Sequence, residues 1–295
     1  MNALLPRITV ITPSYNQDQF LERTIRSVLD QGYPNLQYGI IDGNSTDKSS
    51  NIIRKYKDQL SFTIIEPDNG QAEAINKGLL RADGDIICYL NSDDTLLPDS
   101  LFTVAKYFFE NPNCNWFIGN CLEIDSNDNT LERLDTTPVN FLAHALIRHQ
   151  RLEIPQPAIF WKRELTDKLG LFDESYHFAF DYELWCRFLA NGYQLEKINI
   201  DLATYRLHDQ SKTCSSNNGF LEDHQKIERK YAKYLLLKER YLFERMFAYR
   251  YRQYVLLNTP GIPWKHIFTH PWWIASEQIR RRLLNRNSYI RATTS

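Results

Sequence analysis

The chain has 295 residues, 43% hydrophobic and 24% charged, with 35 Lys and Arg against 36 Asp and Glu. That length supports a large α/β domain with a full core, and 11 Gly with 12 Pro are too few for a disordered or collagen-like chain. The net charge of −1 gives no case for nucleic acid, although it hides an asymmetry: residues 215–295 hold 15 basic and 6 acidic residues, so the first 214 are acidic.

The first 120 residues alternate two periodicities. Ile8 to Thr12 is rich in β-branched residues and stops at Pro13, which predicts a strand running into a loop. Leu21, Ile25, Val28 and Leu29 then recur at helical spacing, with Asp18 as a cap. Tyr38 to Ile41 reads as a second strand ending at Asp42. Gly43 to Asp47 supplies a turn and a cap, and Ile52, Ile53, Tyr56 and Leu60 share a helical face. Phe62 to Ile65 is a third strand, Ala72, Ile75, Leu79 and Leu80 mark a third helix, and Ile86 to Leu90 is a fourth strand. This alternation predicts right-handed βαβ units on a parallel sheet, with strands apolar throughout because both faces are covered. Ser14, Tyr15 and Asn16, then Asp42, then Asp68 and Asn69, then Asp93 and Asp94 follow successive strands. All of them fall at the carboxyl edge of the sheet, where the ligand crevice of an open α/β fold lies.

From about residue 100 the pattern loosens. Leu101, Val104, Ala105, Phe108 and Phe109 predict a helix, Trp116 to Ile118 a strand, and Asp125 to Asp128 a hairpin tip. Residues 180–191 read as a helix with Leu184, Trp185, Phe188 and Leu189 inward, and Leu195 to Ile200 and Leu202 to Leu207 as two strands. After Cys214 the texture becomes long, basic and aromatic, which divides the chain into a domain at 1–214 and an extension at 215–295. The five cysteines are scattered with no Cys-x-x-Cys pair, the first residues do not read as a secretory signal, and no apolar run is long enough to span a bilayer. A reduced, cytoplasmic protein is expected.

Asn91-Ser92-Asp93-Asp94 carries the strongest local signal. Adjacent acids past a buried strand repel, and are usually reconciled by a cation, with Mg²⁺ or Mn²⁺ suited to oxygen ligands and a substrate phosphate. A turn and helix cap is the plainer alternative. Tyr15 can offer its ring to a base, and Asp42 can accept from a base N–H or a ribose hydroxyl. Asp181, at the start of a helix, is either a cap or a general base reaching a substrate hydroxyl. No Gly-x-Gly-x-x-Gly follows the first strand and no phosphate loop with Lys occurs, which disfavours dehydrogenases and P-loop enzymes.

Taken in order, seven segments resemble one family. They are Ile11 to Asn16, Ile41 to Asp47, Asp68 to Gln71 with Ala74 to Gly78, Leu90 to Asp94, Gln156-Pro157, Gly170 to Glu174, and Asp181 to Trp185. Over roughly residues 7–214 the chain closely resembles the family 2 glycosyltransferases. The resemblance implies the GT-A fold, a nucleotide-diphospho-sugar donor, Mn²⁺ or Mg²⁺, and inversion at the anomeric carbon, with hexosyl transfer the expected type. It assigns Pro13, Tyr15, Asp42, Asp68, Asn76 and Asp93 to the donor, Asp93, Asp94 and His208 to the metal, and Asp181 to the base. The acceptor it implies is a glycan or a lipid-linked sugar of the cell envelope. The chain departs from the family in three places: Asn91 stands where an acid is common, Gly43 where a second acid follows Asp42, and Phe180 where a Glu usually precedes the base.

Two other classes compete. An idle nucleotide-sugar or glycan-binding module is opposed by the intact Asp93, Asp94 and Asp181, and a nucleotidyltransferase by the lack of a basic Gly-rich first loop. For the extension two readings stand. Its aromatic residues pack on the domain or on a second copy of the chain, or they form an interfacial helix on the anionic inner face of the membrane, with Arg280, Arg281 and Arg282 contributing.

Overall fold

The computed structural model describes residues 5–134, 142, 145, 146, 154–209, 211, 212 and 219–235. The chain divides into two compact units, Met1–Phe243 and Glu244–Ser295, and the described residues lie in the first.

The amino-terminal half is the expected alternation: β1 (Ile8–Ser14), α1 (Asp18–Leu29), β2 (Leu36–Asp42), α2 (Ser49–Lys55), β3 (Phe62–Ile65), α3 (Gln71–Leu79) and β4 (Ile86–Tyr89). These strands are parallel in the order β3-β2-β1-β4. β1 is buried along its whole length, as a strand must be with helices over both faces. α1 presents Phe20, Leu21, Thr24, Ile25 and Val28 to the core. α3 approaches β1 and β2 closely because residue 78 is glycine, where a Cβ would lie 2.6 Å from Ile11 Cγ2 and 2.8 Å from Ile41 Cδ1.

The structure corrects some local readings. β1 runs through Pro13 to Ser14, because its register with β4 ends at Ile11 and Pro13 has no β4 residue to bond. α2 ends at Lys55, so Tyr56 and Leu60 lie outside it. Leu80, past the last turn of α3, is exposed, as is Phe109 near the end of the next helix. Asp18 serves the neighbouring helix, its Oδ2 accepting from the Lys48 N–H (3.2 Å), whereas Asp47 accepts from the Ser49 N–H of its own α2 (2.9 Å) and also from the Asp18 N–H (2.9 Å).

The second half comprises β5 (Thr95–Leu96), α4 (Ser100–Glu110), β6 (Trp116–Ile124), β7 (Thr130–Leu134), β8 (Ile159–Lys162), α5 (Arg163–Leu169), α6 (Phe180–Ala190), β9 (Glu196–Arg206) and α7 (Gly219–Ala232). The sheet continues as β4-β8-β6-β9-β5, with β7 hairpinned onto β6 as expected, so that antiparallel pairings join the parallel ones and the sheet is mixed. The two strands read around residue 200 are one, with a register irregularity opposite Asn120. Trp116 stacks on Trp185 at 5.5 Å, and Trp161 meets Trp185 edge-on at 5.7 Å. This cluster seats α6 on the sheet. Truncating one of these rings to Ala costs about 3–5 kcal/mol.

α7 packs on α6 through a buried carboxylate. Glu183 pairs with Arg187, accepts from Lys230 Nζ at 2.7 Å and from Tyr231 Oη at 2.6 Å. The first helix of the extension therefore lies against the domain. The remaining aromatic and basic residues singled out there, including Trp264, Trp272, Trp273 and Arg280 to Arg282, are outside the described residues, as is Cys214. The four described cysteines, Cys88, Cys114, Cys121 and Cys186, are free and buried. Among the described residues no helix is long and apolar enough to cross a membrane.

Candidate active site

The loops after β1, β2 and β3 are knitted together. Asp42, fully buried, accepts from the Ser45 N–H and Ser45 Oγ, both at 2.7 Å. Asn16, at a positive φ of 51°, donates its N–H to Ser45 Oγ and accepts from the Thr46 N–H. Tyr15 is 61% exposed, so its ring is free for a flat ligand. Gly43 explains one departure from the family pattern. A Cβ there would sit 2.7 Å from Asp68 Oδ2 and 3.3 Å from Tyr15 Cδ2, so the carboxylate of Asp68 occupies the space that a second acid after β2 would take. Burial raises the Asp68 carboxyl above its ordinary value, although the Gly70 N–H at 2.9 Å opposes this. Tyr15, Asp42 and Asp68 thus form one rim at the carboxyl ends of three adjacent strands, with Pro13 buried beneath it.

The acids after β4 are clamped from two sides. The Thr24 hydroxyl of α1 lies 2.9 Å from the Ser92 carbonyl and 2.7 Å from that of Asp94. From β9, Arg206 donates its N–H to Asp94 Oδ1 (2.9 Å) and its Nε to the Asp93 carbonyl (2.7 Å). Its guanidinium, fully buried, lies over the Phe20 ring and pairs with Asp128 of the β6–β7 turn at 2.6 Å. Asp94 is 1% exposed, and burial together with the neighbouring Asp93 charge pushes its carboxyl well above the ordinary range. Asp93 is the more open acid, and its Oδ2 lies 3.0 Å from His208 Nε2.

Asn91 is a junction. It accepts from Gln71 Nε2 (2.6 Å) and turns its own Nδ2 toward Asp94 Oδ2 (3.2 Å) and Gln156 Oε1 (3.4 Å). An acid at this position would set a third carboxylate against Asp94 and lose both donated bonds. The amide satisfies groups that an acid would repel.

Asp181 lies in the first turn of α6, partly buried. Its Oδ1 accepts from the Tyr182 N–H at 2.7 Å. Burial raises its carboxyl, and that N–H and the Lys212 ammonium oppose the rise. Asp181 does not cap the helix. Asp223 of α7 holds the turn ahead of the helix, its Oδ2 accepting from the Phe178 and Ala179 N–H groups at 2.8 and 3.3 Å. Asn76 is only 7% exposed and spent within the protein. It donates to the Phe172 carbonyl (2.9 Å) and Glu174 Oε1 (2.8 Å) and accepts from the Phe172 N–H (3.0 Å), clasping α3 to the Gly170–Glu174 loop.

Among the described residues no three His, Cys, Asp or Glu side chains form a ready metal cage. Asp93 and His208 nevertheless offer an oxygen and a nitrogen side by side. That donor set fits a Mg²⁺ or Mn²⁺ ion that takes its remaining ligands from phosphate and water. Asp94, with both oxygens accepting N–H groups, stands behind this pair. Lys212 and Asp223 escaped the sequence reading: Lys212 reaches Gln71 Oε1 at 3.4 Å across a gap of 141 residues. Its signal was a cation four residues after His208.

Comparison with known proteins identifies the family and the fold. The family model "Glycosyl transferase family 2" matches residues 9–170. TuaG of Bacillus subtilis, whose name is that of a teichuronic acid biosynthesis glycosyltransferase, is 31% identical over 221 residues, spanning 72% of this chain and 82% of its own. S. aureus TarS 1-349 in complex with UDP-GlcNAc superposes with a TM-score of 0.63 at 17% identity, covering 77% of this chain and 66% of that one. The mannosyltransferase PcManGT of Pyrobaculum calidifontis, solved with GDP-Man and Mn²⁺, gives 0.56 at 18% identity over 94% of this chain and 83% of its own. These folds are the GT-A architecture that the sequence motifs imply. With more than half of its length inside the family match, the chain belongs to glycosyltransferase family 2, the nucleotide-sugar-dependent transferases.

Proposed function

We propose that the chain is an inverting transferase that moves a sugar from a nucleotide-diphospho-sugar to a hydroxyl of a glycan or lipid-linked acceptor in cell-envelope polysaccharide synthesis. One observation carries the mechanism: a partly buried carboxylate, Asp181, at the mouth of α6, under the influence of the Lys212 charge, while Lys212 is linked through Gln71 and Asn91 to Asp94 at the end of β4. Tyr15, Asp42 and Asp68 would hold the base and ribose, and the name of TuaG and the UDP-GlcNAc in TarS favour a UDP-sugar and an envelope polymer. Asp93 and His208, backed by Asp94, would hold Mn²⁺ or Mg²⁺, which supplies positive charge to the departing diphosphate. Asp181 takes the proton of the acceptor hydroxyl as that oxygen attacks the anomeric carbon from the face opposite the diphosphate. The result is inversion in one displacement.

The extension, with its net positive charge, would bring the enzyme to lipid-linked acceptors on the inner membrane face or to a second copy of the chain. Thermal stabilisation by UDP-, GDP- and dTDP-sugars with Mn²⁺ identifies the donor, and release of the nucleoside diphosphate then measures turnover. Asp181→Asn should keep donor binding and lose transfer. Unchanged turnover in that variant, or equal donor affinity in EDTA, removes the base or the metal from the scheme.

A further inference from the structure

Lys212 has a place in the site that the reaction scheme above leaves without a role. Its Nζ donates to the His177 carbonyl and lies 3.4 Å from Gln71 Oε1. The same ammonium sits 5.3 Å from the ring centroids of both Phe178 and Phe180. It is therefore seated on the turn 177–180, which leads directly into Asp181. Asp223 grips that turn from the other side through the Phe178 and Ala179 N–H groups.

We propose that Lys212 is the counter-charge of Asp181, a positioning residue that fixes the turn launching α6 and keeps the carboxylate beside it ionised. The idea rests on the reading of Asp181 as the base, because only an ionised carboxylate can accept the proton of an acceptor hydroxyl.

The surroundings of Asp181 make such a partner necessary. From β4, the buried phenol of Tyr89 feels the charges of both Asp181 and Asp94, which together with burial hold it in its neutral form. From its own helix it receives the Tyr182 N–H. From α7, Asp223 faces Lys212, and His224 stacks on the Tyr182 ring at 4.7 Å. Against this largely apolar, acidic setting Lys212 brings the positive charge. The relation is reciprocal: burial drives the Lys212 ammonium toward its neutral form, and Asp181 and Asp223 oppose that. Each of the two groups is more stable charged because the other is. During transfer the proton leaving the acceptor hydroxyl ends on Asp181.

The test follows Asp181 itself in the full chain labelled with ¹³Cγ-aspartate, its resonance identified by its loss in Asp181→Asn. Lys212→Gln keeps an N–H for the His177 carbonyl and removes the charge. The Asp181 titration should move up by about one pH unit, as expected when a neighbouring opposite charge is lost. Lys212→Arg should restore it, and the affinity for UDP with Mn²⁺ should change less than threefold. Should Lys212→Gln fail to fold, Lys212→Met carries the same readout. A titration that superposes on that of the wild type overturns the proposal. So does a collapse of UDP affinity without a titration shift, which would give the ammonium to the diphosphate instead. Turnover of Asp181→Asn tests the base reading separately, so the failure of one idea is not mistaken for failure of the other.

Discussion

Asn76 offers the sharpest contrast between a donor ligand and a structural clasp. Its amide makes three bonds, to the Phe172 carbonyl, the Phe172 N–H and Glu174 Oε1. Asn76→Ala would leave both backbone groups of the buried Phe172 without those partners, while the exposed Glu174 would return to water. An unsatisfied buried group costs about 1–3 kcal/mol, so the variant should lose about 3 kcal/mol. For a folded unit of this size that lowers the melting temperature by roughly 6–12 °C. Asn76→Asp separates geometry from charge. It keeps the acceptor for the Phe172 N–H but sets a carboxylate against that of Glu174, 2.8 Å from the present amide nitrogen. Repulsion raises the folded-state pKa of the introduced carboxyl. Its protonated form is then favoured on folding, so the deficit is small below the unfolded pKa and grows as pH rises through the raised one. Calorimetry from pH 5 to 8 reads both variants, alongside titration of UDP with Mn²⁺ at a temperature where each is folded. Unaltered melting with donor affinity lost would refute the clasp and return Asn76 to the donor site.

Tyr15→Ala should weaken donor binding tenfold or more, since stacking of a base on an aromatic ring contributes about 1–3 kcal/mol; an unchanged Kd by calorimetry would exclude the ring from the donor site. Gly43→Ala places a Cβ 2.7 Å from Asp68 Oδ2 and should cost donor affinity with little change in melting, because the strain falls on a side chain at the rim. Tyr231→Phe removes one donor from the buried Glu183 and should cost about 1–2 kcal/mol in a thermal melt, with turnover retained while the chain is folded.

What the sequence made legible follows from the range of the interactions involved. The βαβ alternation could be read because runs such as Ile8 to Thr12 and stripes such as Leu21, Ile25 and Val28 are periodic over neighbouring residues. Pro13 misled because a proline ends a strand only when its N–H is needed, and whether it is needed depends on β4, more than 70 residues away. The cap at Asp18 misled for the same reason: its carboxylate serves the Lys48 N–H ahead of α2, whereas Asp47 accepts from Ser49 of its own helix as well as from the Asp18 N–H of α1. The strand around residue 200 broke in the reading at Asp201, a polar residue that the structure accommodates by a register irregularity against β6 and a 2.8 Å bond from Arg133.

At the site, the positions of Tyr15, Asp42, Asp93 and Asp181 were visible because each follows a strand or opens a helix. Their environments were not. Asn91 looked in the sequence like a lost ligand, and Gly43 like a lost recognition group. In three dimensions Asn91 is the amide that lets Asp94 remain buried, and Gly43 is the gap that admits Asp68. In both cases a missing acid is answered by a residue distant in sequence, so a motif compared position by position registers a deficit where the fold has moved the charge elsewhere. The same reasoning separates the paired acids after β4: Asp94 is committed to Arg206 and Asn91, and Asp93, held open beside His208, is the one free to meet a ligand.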